Sequence, residues 1–298
     1  MSDRSPWEVG GTAAAALVCD HDGEPYYSSP WDVWAAAHGV ERDESAPVPA
    51  LFTTGLTLEP VLLDWWMREH GAGLTLHRSP VIRRGWQVGH LDGIAGPYVL
   101  DPKTCLQDGI WYLDEQEDIP AGYCVQGSWY ARLAEEEGHR IERVEFPIWS
   151  HSRAARGQSP YMLRGFNWND TARETAARHL TIVKEWYATH MLTGLPPAFD
   201  GGRSAARWLA LQIGPVSPRR LRADPDGYIL GKVAEWRTAK SAAAAAKSEA
   251  DALGQEIMQT IGDRRLFVGV RSFVQVQYQR GSPFLAAHGF DKSDSPEE

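Results

Sequence analysis

Cysteine is scarce: three among 298 residues, at Cys19, Cys105 and Cys124. An odd number without paired spacing argues against a disulfide framework and supplies no zinc or iron–sulfur ligand set. It fits reduced thiols in a cytoplasmic compartment. Long apolar runs are missing as well. No stretch approaches the ~18 residues of a membrane span, so no membrane association is expected. The opening residues lack the basic-then-apolar pattern of a secretory signal, and none is expected there. Positive charge is also short, with 30 Lys and Arg against 39 Asp and Glu and a net charge of −9. Affinity for a polyanion comes largely from Lys and Arg on phosphates. Composition therefore counts mildly against a nucleic-acid partner without deciding the matter. Two local basic clusters stand out, Arg83-Arg84 and Arg219-Arg220-Leu221-Arg222. No internal repeat is present. What remains, 43% hydrophobic and 10% aromatic residues, suffices for a sizeable core in one large domain or two small ones.

The chain reads as short strands among helices. Val9-Gly10-Gly11-Thr12 is a tight loop, with Thr12 capping a short helix over 13–17. A glycine loop at a helix start can hold a phosphate through backbone N–H groups, although plain capping accounts for it equally. A helix follows Ser29-Pro30 and ends at Gly39, and 41–49 is a polar loop. Thr57 is expected to cap the next helix, with Pro60 in its first turn and Glu59 beside the positive end of its dipole. Residues 74–84 read as a strand and its connection. A helix over 119–138 puts Tyr123, Gln126 and Tyr130 on one side. Strands are expected at 141–150 and 161–165, with a polar loop at 151–159 between them. Long helices are expected over 171–193, 204–213 and 226–262, with a junction at 215–218. A strand or hairpin follows over 266–279, and 291–298 is an acidic tail expected to be disordered.

Residues 88–105 carry the chemistry. Gly96-Pro97 is a turn signal with apolar residues on both sides. Pairing outward from it sets Tyr98 against Ala95, Val99 against Ile94, Leu100 against Gly93 and Asp101 against Asp92. Opposed side chains have Cβ atoms about 5 Å apart, and like charges directly opposite are destabilising. A divalent cation between the two carboxylates removes that cost, and magnesium takes one or two carboxylates while keeping several waters. Alternation places Lys103 on the same face as Asp101. The plain alternative is a solvated hairpin whose polar residues point at water.

Several stretches together resemble one family. Gly10-Gly11-Thr12, Gly55-x-x-Leu58-Glu59-Pro60, Leu91-Asp92-Gly93, Leu100-Asp101-Pro102-Lys103 and Gln126-x-x-x-Tyr130, in this order, look like the YqaJ-like viral recombinases. That group includes lambda exonuclease and lies within the PD-(D/E)XK nuclease superfamily. The resemblance covers about residues 9–130. It implies a mixed α/β restriction-endonuclease-like core, with a central mixed sheet flanked by helices. It also implies a helical C-terminal extension ending in a strand or hairpin. The expected organisation is a nuclease core over 1–215, an arm and hairpin over 216–290, and the tail.

The implied activity is magnesium-dependent hydrolysis of DNA, with manganese as a substitute metal. Digestion would run 5′-to-3′ on linear double-stranded DNA. By resemblance, Asp92 and Asp101 are metal ligands together with the Pro102 carbonyl, and Glu59 ligates a second ion or orients water. Lys103 is the motif lysine, Gln126 supports the site and Tyr130 stands beside it. Thr12 falls in the loop on the 5′-phosphate side. The arginine expected before that loop has Arg4 as its nearest candidate. The Asp-Pro-Lys element departs from the commoner Glu before an aliphatic residue. The implied partners are DNA ends, a single-strand annealing protein and further copies of the chain in a ring-like trimer, in the cytoplasm of a bacterial host. Two other classes stay open: a catalytically silent DNA-end-binding module with a nuclease-like fold, and a small-molecule enzyme with a carboxylate–lysine site.

Overall fold

The structure, a computed structural model, describes residues 7–24, 26–40, 50–105, 119–200, 202–213, 232, 235–243, 246–247, 253, 265–267, 273–279 and 282–288. Arg4, the loop at 41–49, the 215–218 junction, the basic cluster at 219–222 and the tail at 291–298 lie outside them. The chain divides into two compact units, Met1–Gly214 and Pro215–Glu298.

The first unit is mixed α/β. Helix α1 (Gly11–Asp22) starts one residue before Thr12, with extended Gly10 as its N-cap and no side-chain cap. Thr12 is therefore a first-turn residue and not the cap. The helix also outruns the expected 13–17, because Val18 and Cys19 are buried with the rest of its apolar face. It ends where Gly23 supplies a left-handed conformation, φ 73°. Helix α2 (Pro30–Ala37) opens on a full capping box, Ser29 with Asp32. Helix α3 (Ala50–Glu69) begins well before Thr57 and contains Pro60 in its interior. The Thr57 hydroxyl donates to the Thr53 carbonyl at 3.0 Å, so it caps nothing.

Strands β1 (Leu76–Arg78), β2 (Val81–Arg84), β3 (Gln87–His90), β4 (Gly93–Ala95), β5 (Tyr98–Leu100) and β6 (Lys103–Cys105) follow. Helix α4 (Ala121–Glu136) leads to β7 (Arg143–Ser150). The stretch expected to be a loop after β7 opens as a short helix, α5 (His151–Ala155), because Ser150 accepts from the Arg153 N–H and caps it. Strand β8 (Tyr161–Asn167), helix α6 (Asp170–Trp186) with a π-helical turn over Tyr187–Met191, and α7 (Arg203–Ile213) complete the unit.

β1, β4 and β5 pair antiparallel, β5 and β6 run parallel to β7, and β8 closes antiparallel on β7's other side. β2 and β3 form a separate two-stranded sheet. The register along β7 is unbroken from Leu100 opposite Glu145 to Lys103 opposite Ile148. β5 and β6 are thus one strand with a lapse at Asp101-Pro102. The Asp101 N–H donates to the Glu145 carbonyl at 3.0 Å. The next rung of a parallel ladder needs an N–H at residue 147, which is proline. Pro102 forfeits no rung with β7, since by alternation its nitrogen faces away from that strand.

Period-two alternation sorts the sheet between two helices. Ala95 and Leu100 pack with Leu63 and Trp66 of α3. Ile94, Val99, Val144 and Phe146 join the cluster that holds α4. A Cβ on Gly127 would stand 2.7 Å from a Val144 methyl, so α4 lies directly on β7. Buried Glu145 faces α3, where it accepts from Trp66 Nε1 at 2.5 Å and from Arg143 Nε at 2.8 Å.

In the second unit, β9 (Arg265–Phe267), β10 (Phe273–Gln279) and β11 (Ser282–His288) form an antiparallel sheet. The hairpin thus extends beyond the expected 266–279, because Ser282 to His288 pair back along β10. Among the described residues, no helix is long and apolar enough to cross a membrane.

Candidate functional site

The site is built by the two-residue loop Gly96-Pro97. Gly96 has φ 55°. Pro97 cannot follow it into positive φ, so the loop takes the primed form that keeps glycine at its first position. The pairing then runs as counted: Ala95 against Tyr98, Ile94 against Val99, Gly93 against Leu100. Asp92 and Asp101 are the next residue out on either strand. Both backbones are held. The Asp92 carbonyl accepts from the Ser79 N–H at 3.0 Å, and the Asp101 N–H goes to Glu145. The two side chains therefore leave the same face, the one beneath α4.

Asp101 is 1% exposed. Lys103 Nζ donates to its Oδ1 at 2.7 Å and to Gln126 Oε1 at 3.4 Å. Gln126 Nε2 in turn donates to the Tyr130 hydroxyl at 3.1 Å. The ammonium also lies 5.0 Å from the centre of the Tyr123 ring, in cation–π contact. Tyr123, Gln126 and Tyr130 come from successive turns of α4 and face the sheet together.

Electrostatics push Asp92 and Glu59 toward neutrality. The Asp92 carboxyl is pushed far above the usual range, first by burial, then by the Asp101 charge and hydrogen bond, then by Glu59, against the pull of Lys103. Burial also raises Glu59, with Asp101 adding and Lys103 opposing. For Lys103, burial alone would lower the ammonium, yet the Asp101 and Asp92 charges outweigh it and the net shift is upward. With Asp92 ionised, the buried Asp101 Oδ2 meets no hydrogen-bond donor. Two facing carboxylates, one with an unserved buried oxygen, fit a hard cation that takes one or two carboxylates and keeps its waters. Among the described residues, no three His, Cys, Asp or Glu side chains converge as a ligand cluster. Glu59 is felt electrostatically by the pair.

The loop before α1 closes the far side. Val9 donates to the Trp86 carbonyl at 2.8 Å and accepts from Val88 at 3.0 Å, fastening the loop beside β3. A Cβ on Gly11 would lie 2.7 Å from Tyr130 Cε1 and 3.1 Å from Gln126 Cγ. Thr12 is half-buried in the first turn of the same helix. The structure thus brings Asp92, Asp101, Lys103 and Gln126 together, with Tyr130 and the Gly11 turn behind them and Glu59 within electrostatic reach. Arg4 lies outside the described residues. The basic pair Arg83-Arg84 is engaged with acids, Arg83 with Glu8 at 3.2 Å and Arg84 with Glu137 at 3.4 Å.

Two features escaped the sequence reading. Nothing in the spacing marked Gly11 as the point where α1 meets Gln126 and Tyr130. The adjacent aromatics Tyr26-Tyr27 were a visible signal with no assigned role.

No protein-family model matches the chain, and no curated protein does. Among solved structures, the chain is similar to an alkaline exonuclease, LHK-Exo, from Laribacter hongkongensis. That match has a TM-score of 0.47 and 11% identity, over 64% of this chain and 93% of that one. It is also similar to a phage-related exonuclease from Haemophilus somnus 129PT. There the TM-score is 0.45 and the identity 10%, over 63% of this chain and 96% of that one.

Proposed function

We propose that the chain is a metal-dependent deoxyribonuclease of the PD-(D/E)XK kind, hydrolysing phosphodiester bonds at the ends of linear double-stranded DNA from 5′ to 3′. One observation carries the reading. An aspartate pair across a tight hairpin shares its face with a lysine, and that lysine is bonded to both the buried Asp101 and a glutamine of the covering helix.

Asp92 and Asp101 would hold Mg²⁺, with the Pro102 carbonyl as a further oxygen. The bound ion would lower the pKa of a water and offset charge building on the phosphate. Asp101 anchors Lys103 at 2.7 Å, which aims the ammonium at the space the acids border. From there Lys103 orients the attacking water or meets the charge that develops on the phosphate oxygens. Gln126 fixes the lysine from α4. Glu59, which feels the Asp101 charge, would ligate a second ion or orient a metal-bound water. The shorter aspartate at the first position of Asp-Pro-Lys still reaches its lysine, so the silent-module reading gains nothing from that departure.

The test uses Asp101→Ala and Lys103→Ala, each shown folded by its melting curve, on labelled linear duplex with Mg²⁺ or EDTA. Loss of one such transition-state contact costs about 10²–10³ in rate. The wild type should degrade duplex only with metal, and each variant should fall by at least that factor. Wild-type rates in either variant would sink the assignment. Binding without metal-stimulated cleavage by the wild type would establish the silent module instead.

A further inference from the structure

We infer that Tyr27, backed by Tyr26, is a nucleobase-stacking shelf at the mouth of the acid–lysine site. The inference rests on the nuclease reading, since its occupant is a base of the strand whose phosphate meets Lys103. Helix α1 ends at Gly23, and the chain passes through Tyr26 and Tyr27 before α2 begins at Pro30. Tyr26 is wedged against the first turn of α4. A Cβ on Gly122 would fall 2.3 and 2.4 Å from its ring carbons, a fit only glycine allows. The Tyr26 hydroxyl donates to that of Tyr27 at 3.1 Å, and the two rings lie 4.3 Å apart at 34°. Tyr27 is nonetheless 72% exposed.

The next residue after Gly122 is Tyr123, whose ring carries the Lys103 ammonium at 5.0 Å. Three tyrosines therefore lead from solvent to the lysine. The Tyr123 hydroxyl feels both Lys103 and Tyr27, which puts the exposed ring near the site and not across the molecule. An exposed ring held by packing and a hydrogen bond gives up little freedom when a flat partner lands on it. Tyr27 brings no charge for a phosphate, and every base offers a π-face, so the partner is a base of any sequence.

The experiment measures equilibrium binding of labelled single-stranded and end-frayed oligonucleotides to the full chain in EDTA, in a cleavage-silent Asp101→Asn background. Tyr27→Phe should bind as the background does, and Tyr27→Ala roughly tenfold more weakly with an unchanged melting curve. A series of oligonucleotides with one abasic nucleotide stepped along the strand should contain one position that erases the Phe-to-Ala difference. Equal binding by the Ala and Phe variants, or a difference that no abasic position removes, would overturn the shelf. So would the absence of DNA binding by the background. Cleavage by Tyr27→Ala in the Asp101-containing protein is measured alongside. It should show a raised KM with kcat retained. A wild type that never cleaves while the abasic pattern holds would remove the nuclease and leave the shelf. A cleaving wild type indifferent to Tyr27 would do the reverse.

Discussion

The aspartate pair makes a prediction at the level of a single carboxyl. Asp92 is held well above its unfolded pKa, which is about 3.9. A group raised in the folded state binds its proton more tightly there. Its contribution to stability is full below about pH 3.9 and is lost as pH rises toward the folded value. In EDTA, Asp92→Asn removes that loss. The variant should therefore melt above the wild type at pH 8 and converge with it near pH 4. Added Mg²⁺ should raise the melting temperature of the wild type at pH 8 and not that of the variant. Thermal melts at the two pH values check this, and a variant no more stable than wild type at pH 8 in EDTA contradicts it. The facing of these residues was legible in the sequence. A side-chain period of two and a turn centred on Gly96-Pro97 leave one register, and Asp101 and Asp92 follow from it. The Lys103 contact with Gln126 was not legible in the same way. It needs α4 laid over the sheet, and that depends on Gly127 meeting Val144, residues far apart in sequence.

Among the elements, local signals served strands better than helix starts. Thr12 and Thr57 both looked like caps, yet α1 opens at Gly11 and α3 at Ala50. Capping contributes about 1 kcal/mol, and in α1 the close packing of Gly11 on Tyr130 and Gln126 outweighs it. The start of α2 at Ser29-Pro30 was legible, because proline suits a first helical position, and the structure adds the Ser29–Asp32 capping box. The junction of α1 with α4 yields the second prediction. Gly11→Ala would drive a methyl into the nearly buried Tyr130 ring, which has little room to turn aside. Overpacking of this kind costs about 1–3 kcal/mol. Denaturant unfolding should report that loss. Cleavage should fall with it at temperatures where the protein stays folded, because Gln126 is displaced along with Tyr130. Unchanged stability would contradict the close apposition of α1 and α4.

For the whole molecule, the candidate site falls within one of the two compact units. Every described residue of the candidate site, from Gly11 to Tyr130, lies in the unit Met1–Gly214. A fragment of residues 1–214 should therefore unfold cooperatively and keep metal-dependent cleavage of short duplexes. Circular dichroism melts and the cleavage assay check it, and a fragment that folds but cannot cut would place an essential group beyond residue 214. The alternating pattern over 266–279 left a strand or a hairpin open, and the structure resolves it as strands that pair on to His288. The site's own sheet has one further property. The rung that Pro147 cannot supply leaves slack beside the acid, between firm pairing at Leu100 and at Lys103. At that step the strand can pivot without tearing the ladder on either side. A cation held between the acids as proposed would meet a compliant seam, and the sheet would yield locally while its frame keeps its shape.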